Sequence, residues 1–135
     1  MALRDDTIRA VGQDDFAMAA ERFVDYWAGA GTWATVPQAR RTPTMQSMRK
    51  VAAEWHAASN EPTPLAKFAS LDTATLYLTG APSPAPTREI AALLAPVLPR
   101  VELVELDGVG HMGPVTHPER VNASIEQYLI HMLHA

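Results

Sequence analysis

The sequence predicts a mixed α/β chain: a helical segment over residues 1–70, then a β-α-β-α unit over 71–135 with two parallel strands. Three observations carry that prediction. Apolar residues recur at helical spacing through the first half. Two short apolar runs rich in β-forming residues, 74–78 and 101–106, lie in the second half. A helical pattern separates these runs and another follows them, which makes the strands parallel with a right-handed crossover.

In the first half, Asp14 and Asp15 are placed to cap a helix whose buried face is Phe16, Ala19, Ala20, Phe23, Val24 and Trp27. Gly29 and Gly31 end it. Thr42 and Pro43 fit the cap and first position of a second helix, with Met45, Met48, Ala52 and Trp55 on its apolar face. Residues 2–11 add a shorter helix, and Pro62 and Pro64 break the pattern.

In the second half, the run from Ala74 to Leu78 is a buried strand ended by Thr79 and Gly80. Prolines 82, 84 and 86 make a loop, and Thr87 caps a helix that carries Ile90, Ala91, Leu93, Leu94 and Val97. Val101 to Leu106 is the second strand. A glycine-rich loop runs from Asp107 to Pro114. Thr116 and Glu119 have capping-box spacing before a last helix, whose apolar residues are Val121, Ile125, Tyr128, Leu129, Met132 and Leu133. Two parallel strands do not make a self-sufficient sheet, so either another copy pairs with them or a partner sheet is missing.

Composition removes several function classes. Of the 135 residues, 47% are hydrophobic and 19% charged, which excludes a disordered chain. No apolar run reaches the length of a membrane span. Net charge is -4 with the basic residues scattered, which argues against nucleic acid as a partner. The absence of cysteine removes disulfides, zinc–thiolate sites and a thiol nucleophile, and fits a cytoplasmic setting. No secretory signal is recognisable at the N-terminus.

The order strand, Gly80, proline-rich loop, helix, strand, then Gly108-Val109-Gly110-His111-Met112-Gly113-Pro114, then helix, resembles the C-terminal end of an α/β-hydrolase. The resemblance covers residues 74–134. Residues 1–70 are similar to the helical cap that many members insert, through Phe23-Val24-Asp25-Tyr26-Trp27 followed by Gly29, Gly31 and Trp33. The resemblance implies that His111 is the family's histidine, a general base toward a serine and then a general acid toward the leaving group. It puts Ser83 at the position of the family's acid, in Gly80-Ala81-Pro82-Ser83. A serine accepts a hydrogen bond from imidazole but supplies no full charge. Asp72 and Asp107, the neighbouring carboxylates, read as residues of solvated turns. Trp27, Trp33, Trp55 and Met112 are the candidates for lining an acyl pocket.

The nucleophile is absent. The family needs Gly-x-Ser-x-Gly on a strained strand-to-helix turn. None of Ser47, Ser59, Ser70, Ser83 or Ser124 is flanked by glycines in that way. In the family's order the serine precedes the acid and the histidine, so the expectation is a cap plus the last part of a hydrolase core, without the half that holds the elbow.

Other motifs read more simply. His117, His131 and His134 lack a carboxylate or thiol to complete a metal set, and His56 beside Trp55 is a helix-surface residue. Glycines 108–113 match no phosphate-binding pattern. No cofactor is expected. The functional expectation is a hydrolase fragment, for esters or related bonds in its intact form and inactive alone. The alternatives are a non-catalytic homodimer that pairs strand edges or swaps helices, and a module that binds a small apolar ester-like ligand.

Overall fold

The computed structural model describes residues 2–134, which form two compact units divided between Pro62 and Thr63. The division falls before residue 70 because the 3₁₀ segment Leu65–Ser70 packs on elements of the second unit.

The first unit is helical: α1 (Ala2–Gly12), α2 (Phe16–Ala28), the single turn α3 (Thr32–Thr35) and α4 (Gln38–Ser59). Leu3, Thr7 and Ala10 are the buried positions of α1, at i, i+4 and i+7 spacing. Met18 N–H donates to the Asp15 carboxylate at 3.0 Å, so Asp15 is the N-cap of α2, and Gly29 closes it with a φ of 112°. Ala19 and Ala20 are fully buried. Their small side chains let α1 pack closely on α2. The core joins them to Ala10, Trp33 and Met48, with Phe16, Phe23, Val24, Val36 and Met45 packed around it.

Helix α4 begins at Gln38, four residues before the expected Thr42 cap, with Pro37 as N-cap and Pro43 inside. The proline ring removes the N–H that would bond the Ala39 carbonyl. Arg41 helps hold this entry. Its guanidinium donates to the carbonyls of Val36 (2.9 Å), Ala34 (2.8 Å) and Trp33 (3.2 Å) and lies 5.3 Å from the centre of the Trp33 ring. The orphan carbonyls at the end of α3 are thereby satisfied.

The second unit contains β1 (Thr75–Gly80), α5 (Ala85–Leu94), a 3₁₀ turn (Ala95–Val97), β2 (Val101–Leu106), the short α6 (Gly113–Thr116) and α7 (Pro118–His134). The strands pair in parallel, from Thr75 opposite Val101 to Gly80 opposite Leu106. Among the described residues the sheet has these two strands. Leu106, Val109 and Val121 form a small core, with Leu78 and Val104 packed on it.

Two expected caps are placed differently. Helix α5 starts at Ala85, and the Thr87 hydroxyl donates to the Pro84 carbonyl at 2.6 Å, within a first turn whose φ Pro86 presets. The Thr116 hydroxyl lies 3.1 Å from the Met112 carbonyl, to which it donates, and 2.9 Å from His117 Nδ1. It therefore closes α6 instead of opening α7, which begins at Pro118. The apolar face expected on the last helix is also largely uncovered. Val121 is buried, whereas Ile125, Leu129 and Leu133 are 39%, 54% and 82% exposed.

Candidate functional site

The C-terminal ends of both strands open into a cleft of about 280 Å³. Strand β1 lines it from Tyr77 to Gly80, and Ser83 and Thr87 follow from the next turn. Leu106, Val109, Gly110, His111, Gly113 and Pro114 line it from the β2 side, with Val121 of α7. Crevices at the carboxyl ends of parallel strands are where open α/β sheets bind ligands.

Tight backbone geometry builds this cleft. Ser83 N–H donates to the Gly80 carbonyl at 2.9 Å, a turn that folds Ser83 back at the end of β1. Ala81 N–H extends the ladder to the Leu106 carbonyl at 3.2 Å. On the other strand, Gly108 adopts a φ of 68°, and Val109 N–H returns to the Leu106 carbonyl at 3.3 Å. The chain then passes so near β1 that a Cβ on Gly80 would land on the Val109 carbonyl oxygen. A Cβ on Gly113 would meet the Val109 side chain. Glycine at 80 and 113 is thus a condition for the two loops to converge, and their convergence brings Ser83 and His111 to one cleft.

Ser83 is buried and His111 is exposed at the rim. No Asp, Glu, Lys or Arg lines the cleft. The polar side chains are the hydroxyls of Tyr77, Thr79, Ser83 and Thr87 together with His111. Such a lining suits a small neutral ligand with carbonyl or hydroxyl oxygens, because it offers hydrogen bonds without a buried counter-charge. Sequence reasoning gives Thr79 and Thr87 structural roles alone, as a strand end and a helix cap, and passes over Tyr77; the signal for all three is their position near the C-terminal end of a strand and in the helix turn that follows.

The other candidates lie elsewhere. Met112 is half-buried beside His111 and is not part of the cleft wall. Trp33 belongs to the core of the first unit. Trp27 is half-buried in edge-to-face contact with Phe23 and Tyr26, at 6.3 and 4.9 Å between ring centres. Trp55 is half-buried on α4, and its indole N–H has no acceptor among the described residues. A wider groove of about 620 Å³ in that unit is lined by Phe16, Met45, Thr42, Gln46, Arg49 and the Asp14–Ala17 turn, without a tryptophan.

Asp72 is exposed and 3.8 Å from Arg100. Asp107 is exposed too, and its carbonyl accepts from Arg120 at 2.6 Å. Neither carboxylate lines the cleft. His56, His117, His131 and His134 are exposed. Among the described residues no group of three or more His, Asp or Glu side chains is placed to hold a metal ion. No helix among them is long and apolar enough to cross a membrane. No protein-family model, curated protein or solved structure matches this chain.

Proposed function

We propose that the second unit carries the histidine side of a hydrolase-type acyl-transfer site, and that the chain alone does not turn over ester substrates. One observation carries this reading: Ser83 and His111, from separate loops, line one uncharged cleft at the carboxyl ends of two parallel strands. In such a site the His111 imidazole removes a proton from a serine hydroxyl as it attacks the carbonyl, and returns it to the leaving oxygen. Ser83 offers the ring a hydroxyl acceptor from the wall of the same cleft. It neither stabilises imidazolium nor fixes the tautomer as a carboxylate does, and replacing that carboxylate by an amide costs about 10⁴ in turnover in a serine protease. No Gly-x-Ser-x-Gly turn occurs in the 135 residues, so the nucleophile comes from outside this chain. The size and neutrality of the cleft fit a short, uncharged ester or a related acyl compound.

The same unit favours association as the chain's own activity. It exposes Ile125, Leu129 and Leu133 on α7, and among the described residues its sheet has two strands. A second copy is the partner we assign, in a cytoplasmic setting consistent with a cysteine-free chain.

Hydrolysis of a short-chain p-nitrophenyl ester by the wild type and by His111→Ala tests the catalytic half of the proposal. Both proteins are expected at the buffer rate. Turnover by the wild type that the substitution abolishes, or covalent labelling of one serine by a fluorophosphonate, overturns the claim of inactivity. The cleft itself is tested by amide shifts on adding the neutral ester. Thr79, Ser83 and Gly110 are expected to move, and silence at all three removes the acyl-site reading.

A further inference from the structure

The two sheet edges are chemically unlike, and the difference names the edge at which a second copy docks. Thr75 N–H donates to the Arg100 carbonyl at 2.8 Å, and Ala81 N–H to the Leu106 carbonyl at 3.2 Å. These bonds bracket the ladder. In a parallel pair, alternate residues turn their N–H and C=O toward the neighbour. Odd-numbered residues of β1 therefore face β2, and Leu76, Leu78 and Gly80 turn their main-chain groups to the outer edge. On β2 the outward groups belong to Val101, Leu103 and Glu105, by the register of the pair.

Strand β1 reads Thr-Leu-Tyr-Leu-Thr-Gly and carries no charge, whereas β2 reads Val-Glu-Leu-Val-Glu-Leu, with Glu102 and Glu105 both exposed. Charged side chains blunt a strand edge against pairing, and an uncharged strand of high β-propensity invites it. Any antiparallel pairing of β2 with itself gathers four carboxylates in one ribbon. Pairing of β1 with itself gathers none.

We propose that two copies of this chain join through the outer edges of β1, antiparallel, with Tyr77 opposite its own counterpart on the dyad. This deepens the association half of the reading above and is independent of its catalytic half. The register follows from three constraints. Outward groups must meet outward groups, so Leu76 pairs with Leu76, Leu78 or Gly80 of the second copy. Pairing with Leu76 keeps just residues 75–77 of β1 in the ladder and leaves the rest of the strand unpaired. Pairing with Gly80 is crowded, because the Val109 carbonyl already occupies the space where a Gly80 Cβ would stand. In the remaining register Leu76 meets Leu78, Thr75 meets Thr79 and Tyr77 meets Tyr77. Apolar, hydroxyl and aromatic cross-strand pairs of this kind each stabilise a sheet. The result is a four-stranded sheet in the order β2-β1-β1-β2, with the charged strands outside. A dyad perpendicular to the sheet keeps α7 of both copies on one face, where the exposed Ile125 and Leu129 supply further apolar surface.

Amide hydrogen exchange of the wild-type chain over roughly a hundredfold dilution tests this without altering a side chain. Leu76 and Leu78 amides are expected to exchange at least about tenfold faster on dilution, while Leu103 and Glu105 amides stay unchanged. Protection of Leu76 and Leu78 that is independent of concentration would show that this chain covers its own edge, and would overturn the proposal. So would dilution dependence at Leu103 alone, which moves the interface to β2. Because the chain contains no cysteine, Tyr77→Cys and Leu103→Cys are clean single-site probes. Under mild oxidation Tyr77→Cys is expected to crosslink to a dimer and Leu103→Cys to remain monomeric. The reverse result refutes the assignment of the edge. Since no step uses a substrate, failure here leaves the acyl-site reading standing, and failure of ester binding leaves the dimer standing.

Discussion

The two units bury apolar surface with unequal success. The helical unit closes on itself: Ala10, Ala19, Ala20, Trp33 and Met48 are buried together, and seven further apolar side chains pack against them. Among the described residues of the second unit, Leu106, Val109 and Val121 form a smaller buried cluster, and Ala91, Ala95 and Leu98 are buried apart from it. The unit leaves Ile90, Leu93, Leu103, Ile125 and Leu129 exposed. The contrast follows from the elements available. Each helix satisfies its own backbone, so four helical segments need only cover their apolar stripes. A parallel strand depends on neighbours at both edges and on layers over both faces, and two strands cannot supply them to each other. The lesson is that sound local signals throughout a segment do not ensure that its apolar faces are covered.

Substitutions that act on one unit at a time sharpen this comparison. All three tryptophans lie in the first unit, so their fluorescence follows its unfolding, and exchange of strand amides follows the second. The largest loss is expected for Met48→Ala. Met48 is 1% exposed at the centre of the helical core, and truncating a buried Met costs about 3 kcal/mol. The urea midpoint read by fluorescence should fall while strand-amide protection is unchanged. A midpoint within error of wild type would refute the closed core.

Gly80→Ala comes next, at about 2–3 kcal/mol, because the new Cβ meets main chain that cannot rotate away. It should speed exchange throughout β1 and β2 and leave tryptophan fluorescence unmoved. If both probes shift equally, the two units do not unfold separately.

A smaller loss, about 1–2 kcal/mol, is expected for Asp25→Ala. The Asp25 carboxylate accepts N–H bonds from Gly31 at 3.0 Å and Trp33 at 2.7 Å, and so fixes the turn between α2 and α3. Asp25→Asn, which keeps an acceptor oxygen, should recover part of that loss. Equal losses in the two variants would assign the effect to charge.

The smallest change is expected for Trp55→Phe. Its indole N–H is buried without an acceptor, so removing the donor offsets lost ring contacts, and stability should stay within about 1 kcal/mol of wild type. A larger loss would mean that the indole packs or bonds more strongly than its neighbours indicate.

The types of the main elements were legible in the sequence because each depends on residues close together in the chain. Asp15 and Gly29 bound α2 where the pattern put them, and β2 runs over Val101–Leu106 as read. Caps were less legible wherever a hydroxyl had a competing use. Thr87 bonds Pro84, Thr116 bonds Met112, and Thr42 stands inside a helix that begins at Gln38. A threonine followed by a proline or a glutamate has the composition of a cap in each case, but the helix starts where the preceding turn lets it. His111 and Ser83 are candidates through the family resemblance alone, carried by the glycines around His111 and by Gly80 three residues before Ser83. That they line the same cleft, and that Tyr77, Thr79 and Thr87 join them, depends on Gly80 and Gly113 admitting the Val109 segment.

By itself the sequence determined the element types, the parallel pairing, the uncharged character of β1 and the lack of a serine elbow. Those properties belong to periodicity, composition and local spacing. Only the tertiary structure decided which apolar faces are covered. Val121 and Leu129 lie on helical positions of equal promise, yet one closes the small core and the other faces solvent. Burial is a relation between segments, and its outcome depends on how many layers the fold has to offer.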